Sequence, residues 1–239
     1  MTYFQGFVIP VKDGGKQAYL AMAAKAAPIF MEYGATRIVE NWEDSVPDGK
    51  RTDLRRAVNA EPGEKIVFSW IWWPDRATCD AATEKLMADE RMKPDGETPF
   101  DMQRMIYGGF EAAHDTGDGG AFTYVDAVVG PAPGDGRDAF TDHSRAIDSF
   151  FVKAGALRAV DGWGADVPEG KVTDFRRAVA AEEGEQVIFG WLEWPDKATR
   201  DAAFEAVMKD PEMQALKPGF DMQRAIFGGF TPILDTDRQ

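Results

Sequence analysis

The sequence predicts an α+β protein built from two β-α-β-β-α-β units packed sheet to sheet within one chain. Three observations predict it. The chain repeats itself at an offset of about 121 residues. Each copy is long enough to be a domain and spells the same order of elements. The middle strand of each copy is apolar on both faces, so a second layer must cover the side that helices leave bare.

The repeat is legible residue by residue. "TDLRRAV" at 52–58 returns as "TDFRRAV" at 173–179, "VPDGK" as "VPEGK", "WPDRAT" as "WPDKAT" and "DMQRMIYGGF" as "DMQRAIFGGF". The offset falls by one residue within the Pro/Gly-rich stretch before the last of these, where length changes cheaply. The Gly/Asp-rich "HDTGDGGAF" reads as a connector. The expected division is therefore 1–114, a linker over 115–121, and 122–239.

In copy one, "YFQGFVIPV" (3–11) reads as a strand. The Ala/Met-rich run within 15–33 reads as a helix, with Gly34 as its stop. A second strand is expected over 35–43, then a turn-rich excursion through "DSVPDGKRTD". Residues 64–73, "EKIVFSWIWW", are β-branched and aromatic and read as a buried strand. Asp75 stands where an N-cap belongs, opening a helix over 76–88. The last strand is expected over 103–111. Copy two gives strands near 123–131, 156–163, 185–194 and 222–231, and helices near 137–154 and 197–209. This order is the split-βαβ, or ferredoxin-like, arrangement.

The motifs V-P-[DE]-G-K-x-T-D-[FL]-R-R-A-V, W-P-D and R-x-I-[YF]-G-G-F resemble a small bacterial family of unknown function, the YbaA-like family. The resemblance runs through both copies, and is weakest at "VVGPAPGDGRDAFTDHSRAIDSF". It implies a dimeric α/β barrel with one ferredoxin-like unit per chain. Here it implies a tandem duplication, an intramolecular pseudo-dimer. The wider superfamily of such barrels holds monooxygenases, haem enzymes, isomerases and plain ligand binders, and fold alone does not choose among them.

Composition excludes more than it selects. A formal net charge of -14 opposes nucleic acid and anionic membrane as partners. One cysteine, Cys79, rules out an intrachain disulfide and a thiolate zinc site. No signal peptide or spanning segment is expected, and a cytoplasmic location follows as the simplest expectation. The two histidines, His114 and His143, are unmatched between copies, and surface or structural roles are expected for both. Phosphate loops, dinucleotide fingerprints and hydrolase motifs are missing from the text, and no cofactor or metal is expected.

The repeated candidates are arginines and tryptophans: Arg37/Arg158, Arg55/Arg176, Arg56/Arg177, Arg104/Arg224, Trp42/Trp163 and Trp70/Trp191. Guanidinium forks suit carboxylates and phosphates, and indoles line pockets as well as cores. Two readings follow. In one, these residues line a small-molecule site between sheet and helices in each unit. The ligand would be anionic or aromatic, and any chemistry would be that of a cofactor-free monooxygenase or isomerase. In the other, the barrel is filled, the arginines pair with carboxylates such as Asp53/Asp174 or Glu40/Asp161, and the protein is a non-catalytic structural or interaction module. Trp72 faces Glu193 in the alignment. That predicts either partial exposure there or divergence of the halves. The repeats pair within the chain, and further homodimerisation stays open.

Overall fold

The strand over Lys65–Trp73 (β3) shows why the chain closes on itself. Phe68, Trp70 and Trp72 point to one side and join a single large core, while Val67, Ile71 and Trp73 point to the other and meet helices. The computed structural model describes residues 2–93 and 96–238. Among them, eight strands form one closed antiparallel barrel in the order β1-β3-β2-β8-β5-β7-β6-β4.

The first unit supplies β1 (Tyr3–Val11), α1 (Lys16–Glu32), β2 (Arg37–Ser45), α2 (Leu54–Ala57), β3, α3 (Arg76–Ala88) and β4 (Ile106–Thr116). The second supplies β5 (Tyr124–Pro133), α4 (Arg137–Lys153), β6 (Arg158–Asp166), α5 (Phe175–Ala178), β7 (Glu185–Trp194), α6 (Lys197–Val207), α7 (Pro211–Gln214) and β8 (Ile226–Asp235). Each unit has the ferredoxin-like order, and the fold is the expected α+β pseudo-dimer. Closure comes from two seams between the units, β2 with β8 and β4 with β6. Pairing both edges removes every open strand edge from the barrel.

Local chemistry sets the boundaries. Asp75 and Asp196 cap α3 and α6, each accepting from the backbone N–H three residues on. Gly34, at φ 106°, ends α1 in a conformation that costs glycine nothing. The glycine pairs before Phe110 and Phe230 have a steric cause. A Cβ on Gly109 would overlap the Tyr3 hydroxyl, and one on Gly229 the Tyr124 hydroxyl.

Two expectations need correction. The excursion after β2 is not simply extended or turn-like. Asp53 and Asp174 each accept from the N–H three residues on and start one helical turn, α2 and α5. These turns meet at one end of the barrel. Thr52 Oγ1 donates to the Ala178 carbonyl at 2.7 Å, and Thr173 Oγ1 donates to the Ala57 carbonyl at 2.6 Å. Second, β4 runs to Thr116, because its seam with β6 pairs residues through Thr116–Ala159. Residues 115 and 116, expected in the linker, are therefore strand.

Candidate functional site

The candidate residues divide among three places. Trp70 and Trp191 lie inside the barrel. Their rings stack at 4.2 Å with an 18° interplanar angle, and Phe4, Phe68, Phe110 and Phe189 pack around them. Leu54 and Phe175, from the two helical turns, belong to the same fully buried core. The barrel interior is a packed core, as small barrels require. Trp42 and Trp163 sit on the outer face, in clusters under the long helices.

The arginines hold the fold's joints. Arg37 Nε and Nη2 donate to Asp235 at 3.0 and 2.9 Å, and Arg158 makes the same fork to Asp115 at 2.9 and 2.8 Å. Each fork spans one seam between the units. Arg104 forks onto Glu64 and Arg224 onto Glu185, tying the turns before β4 and β8 to the starts of β3 and β7. Arg56 and Arg177 bond the carbonyls of Gly49 and Gly170 and pair with Asp53 and Asp174. Arg55 pairs with Glu43. Among the described residues, Arg176 bonds backbone carbonyls alone, of Glu185 at 2.8 Å and Glu182 at 2.9 Å.

Glu193 resolves the alternative left by its alignment with Trp72. Glu193 is 0% exposed and Trp72 4%, so neither is at the surface, and the halves have diverged. Arg37 Nη1 lies 3.6 Å from Glu193 Oε1, and Trp191 Nε1 donates to that oxygen at 3.2 Å. Burial raises the Glu193 pKa and Arg37 pulls it back.

Two further carboxyls matter more for chemistry. They occupy equivalent positions, Glu40 on β2 and Asp161 on β6, beneath α1 and α4. Glu40 is 9% exposed and accepts from the Tyr19 hydroxyl at 2.7 Å. Burial pushes its pKa up to about 7, while the Tyr19 and Ser69 hydroxyls oppose the shift. The second half replaces this simple pair with a cluster. Asp148 and Ser144 of α4 lie beside the Asp161 carboxyl and influence its ionisation. His114 of β4 faces Asp161 in the strand register, with Nε2 3.7 Å from Asp148 Oδ2. His143, one residue before Ser144, brings a second imidazole, whose buried Nδ1, like Asp148 Oδ2, has no hydrogen-bond partner among the described residues.

Burial raises both carboxyls; the Asp161 carboxyl adds to the rise at Asp148, while Ser144 and the two imidazoles oppose it at Asp161. Two carboxyls held close together do not both ionise easily. Burial lowers both imidazoles. Asp148 is buried, whereas Asp161, His114 and His143 are partly buried. Among the described residues no group of three or more His, Cys, Asp or Glu is arranged to hold a metal ion.

Sequence reading named neither Asp148 nor Ser144, and set both histidines aside. The signal was present in the alignment. Met22, Ala23 and Ala27 of α1 become His143, Ser144 and Asp148 in α4, and Leu234, which faces Glu40 across one seam, becomes His114 across the other. Four apolar positions around one carboxyl have turned polar together.

Cys79 is buried in the α3 layer, and burial pushes its thiol up to about 12, so it is a poor nucleophile. A hollow lies elsewhere, at the surface. It encloses about 580 Å³ and is lined by Glu169, Asp174, Arg176, Arg177, Ala180 and Ala181. No helix among the described residues is long and apolar enough to cross a membrane.

Known proteins fit this picture. The uncharacterized protein YbaA of Escherichia coli K12 is 58% identical over 116 residues, which is 48% of this chain and 99% of that protein. The YbaA protein of Shigella flexneri matches to the same extent. Among solved structures, an anthrone oxidase-like protein superposes with a TM-score of 0.57 at 14% identity, covering 98% of this chain and 92% of its own. A protein of Lactobacillus acidophilus described as a candidate monooxygenase gives 0.56 at 9% identity, covering 98% and 95%. Such identities establish shared fold alone. The model of the family described as "Protein of unknown function (DUF1428)" matches residues 2–102 and again 123–223. The chain thus belongs to that family, as two of its units fused in tandem.

Proposed function

We propose that the second half binds a small aromatic or phenolic carbon acid between α4 and the sheet and moves a proton on it. One observation carries the reading: His143, Ser144 and Asp148 of α4 converge with His114 and Asp161 where the first half keeps Met22, Ala23, Ala27, Leu234 and Glu40. Replacing four apolar side chains in a helix–sheet layer by polar ones costs stability. A proton-transfer site gives a reason to bear that cost, since buried carboxyls and imidazoles with displaced pKa values are the groups such chemistry uses.

In the proposed step, ionised Asp161 takes a proton from a substrate C–H or O–H, and the bonding pair stays on the substrate. Asp148 and Ser144, beside the Asp161 carboxylate, set its basicity. His114 and His143 exchange the proton with solvent. An isomerase would return the proton to another carbon. A cofactor-free monooxygenase would let the resulting anion react with dioxygen. The anthrone oxidase-like and monooxygenase-like neighbours support the second variant at the level of fold, since anthrone is itself a carbon acid.

Anthrone is the first probe. Its consumption and dioxygen uptake should be followed in the wild type and in Asp161→Asn, with far-UV circular dichroism to check folding. Loss of the base should lower turnover by roughly 10²-fold or more. Equal turnover in a folded Asp161→Asn protein would reject Asp161 as the base. Asp148→Asn is expected to shift the pH profile, because it removes the second ionisable carboxyl beside Asp161.

A further inference from the structure

Pseudo-twofold symmetry gives Arg176 an internal control in Arg55, and the two differ in their partners. In the first half, Arg55 Nη1 donates to the Glu64 carbonyl at 2.9 Å while Nη2 pairs with Glu43. Glu43 is 8% exposed. It also receives Lys65 at 3.3 Å and the Ile66 N–H at 2.9 Å. In the second half, Gly164 stands at the position of Glu43, and Gln186 at that of Lys65. Arg176 keeps the equivalent bond to the Glu185 carbonyl, and its Nη2 turns to the Glu182 carbonyl instead. Gln186 Oε1 takes over the backbone duty, accepting from the Val187 N–H at 3.0 Å. The neutral amide replaces the bond but not the charge. Among the described residues, no carboxylate is ion-paired with Arg176.

The same guanidinium borders the surface hollow of about 580 Å³, with Arg177 beside it. Two carboxylates also line that hollow. Asp174 is already committed: it caps α5 through the Arg177 N–H at 2.8 Å, accepts from the Gly170 N–H at 3.2 Å and pairs with Arg177 at 3.1 Å. Glu169 is exposed, where water screens its charge. The floor at residue 180 is an alanine, although its twin is Asn59, and both adopt φ 47°.

We propose that Arg176, helped by Arg177, is a binding site for a small oxyanion, a carboxylate or a phosphate group, present in the second half only. The guanidinium fork matches both anions, and its charge is the element that Glu43 supplies internally for Arg55. The site uses none of the residues of the acid–base cluster, so the two proposals stand or fall separately.

The test is a titration of the whole chain with inorganic phosphate and with benzoate, read from the arginine side-chain N–H resonances. Sodium chloride at equal ionic strength is the control. The expected result is saturable binding of one equivalent that moves the Arg176 resonance, weakened at least tenfold in Arg176→Met and unchanged in Asp161→Asn. Preference for phosphate or for benzoate assigns the ligand class. Glu43→Gln recreates the second half's chemistry around Arg55, and it should add a second equivalent. A response no different from chloride, or one retained in Arg176→Met, would overturn the proposal. A folded Glu43→Gln protein that still binds one equivalent would overturn the role given to the missing carboxylate.

Discussion

Trp70 of the first unit and Trp191 of the second lie face to face at the centre of the barrel, with ring centroids 4.2 Å apart. They are equivalent residues, so each unit supplies one half of a single stacked pair. Trp70 is fully buried and Trp191 2% exposed. Truncating either to alanine removes a large buried ring and leaves a void that neighbouring rings fill only in part. Urea unfolding of either variant should show a loss of about 3–5 kcal/mol. The double variant should lose less than the sum, with a coupling of about 1 kcal/mol, because the pair is one contact.

Glu40 sets a pH dependence. Its carboxyl is raised in the fold from 4.5 to about 7, chiefly by burial beneath α1. A raised carboxyl favours the folded state while protonated. Its contribution is fully present below about pH 4.5, is lost as pH rises toward about 7, and stays lost above that. The full span corresponds to at most about 3 kcal/mol. Glu40→Gln, which keeps an acceptor for Tyr19, should therefore be more stable than wild type at about pH 8 and nearly equal at about pH 4. Chemical denaturation at the two pH values measures this.

Ala180 is the cheapest place to gain stability. Its φ of 47° places an L side chain in the left-handed region, which asparagine tolerates and alanine does not. Ala180→Gly should raise stability by about 1 kcal/mol. A lower melting temperature would mean that the alanine methyl makes a compensating contact.

The linker should be dispensable once folding is complete. Two hydrogen-bonded seams, the forks from Arg37 to Asp235 and Arg158 to Asp115, and the shared aromatic core all join the units. A protease site placed at Gly119–Gly120, then cut, should leave one particle of unchanged mass by light scattering. Dissociation at micromolar concentration would show that the seams need the covalent tether.

Much of the architecture could be read from the text because the fold writes itself locally. Alternation in β3, the Asp75 cap and the Gly34 stop are short-range signals, and repetition checked each of them. The helical turns at 54–57 and 175–178 escaped notice. One turn is too short to show a period, and its reason to exist lies in the other unit, where Thr52 and Thr173 find their acceptors. The arginines and tryptophans were visible as a set, but a set has no address. Only closure of the barrel sends Trp70 inward, Trp42 outward and Arg37 across a seam. The acid–base cluster needed the alignment and the register together. His114 reaches Asp161 through pairing of β4 with β6, which neither copy predicts alone.

The covalent join between the units carries a genetic consequence. Where one gene encodes both members of a symmetric pair, every substitution is written into both, and a change that helps one member burdens the other. Here residues 27 and 148 have separate codons. A carboxyl could enter the α4 layer while alanine stayed in α1, and an arginine could shed its counter-ion on one side only. Duplication followed by fusion turned a symmetric object into one whose halves can inherit different tasks.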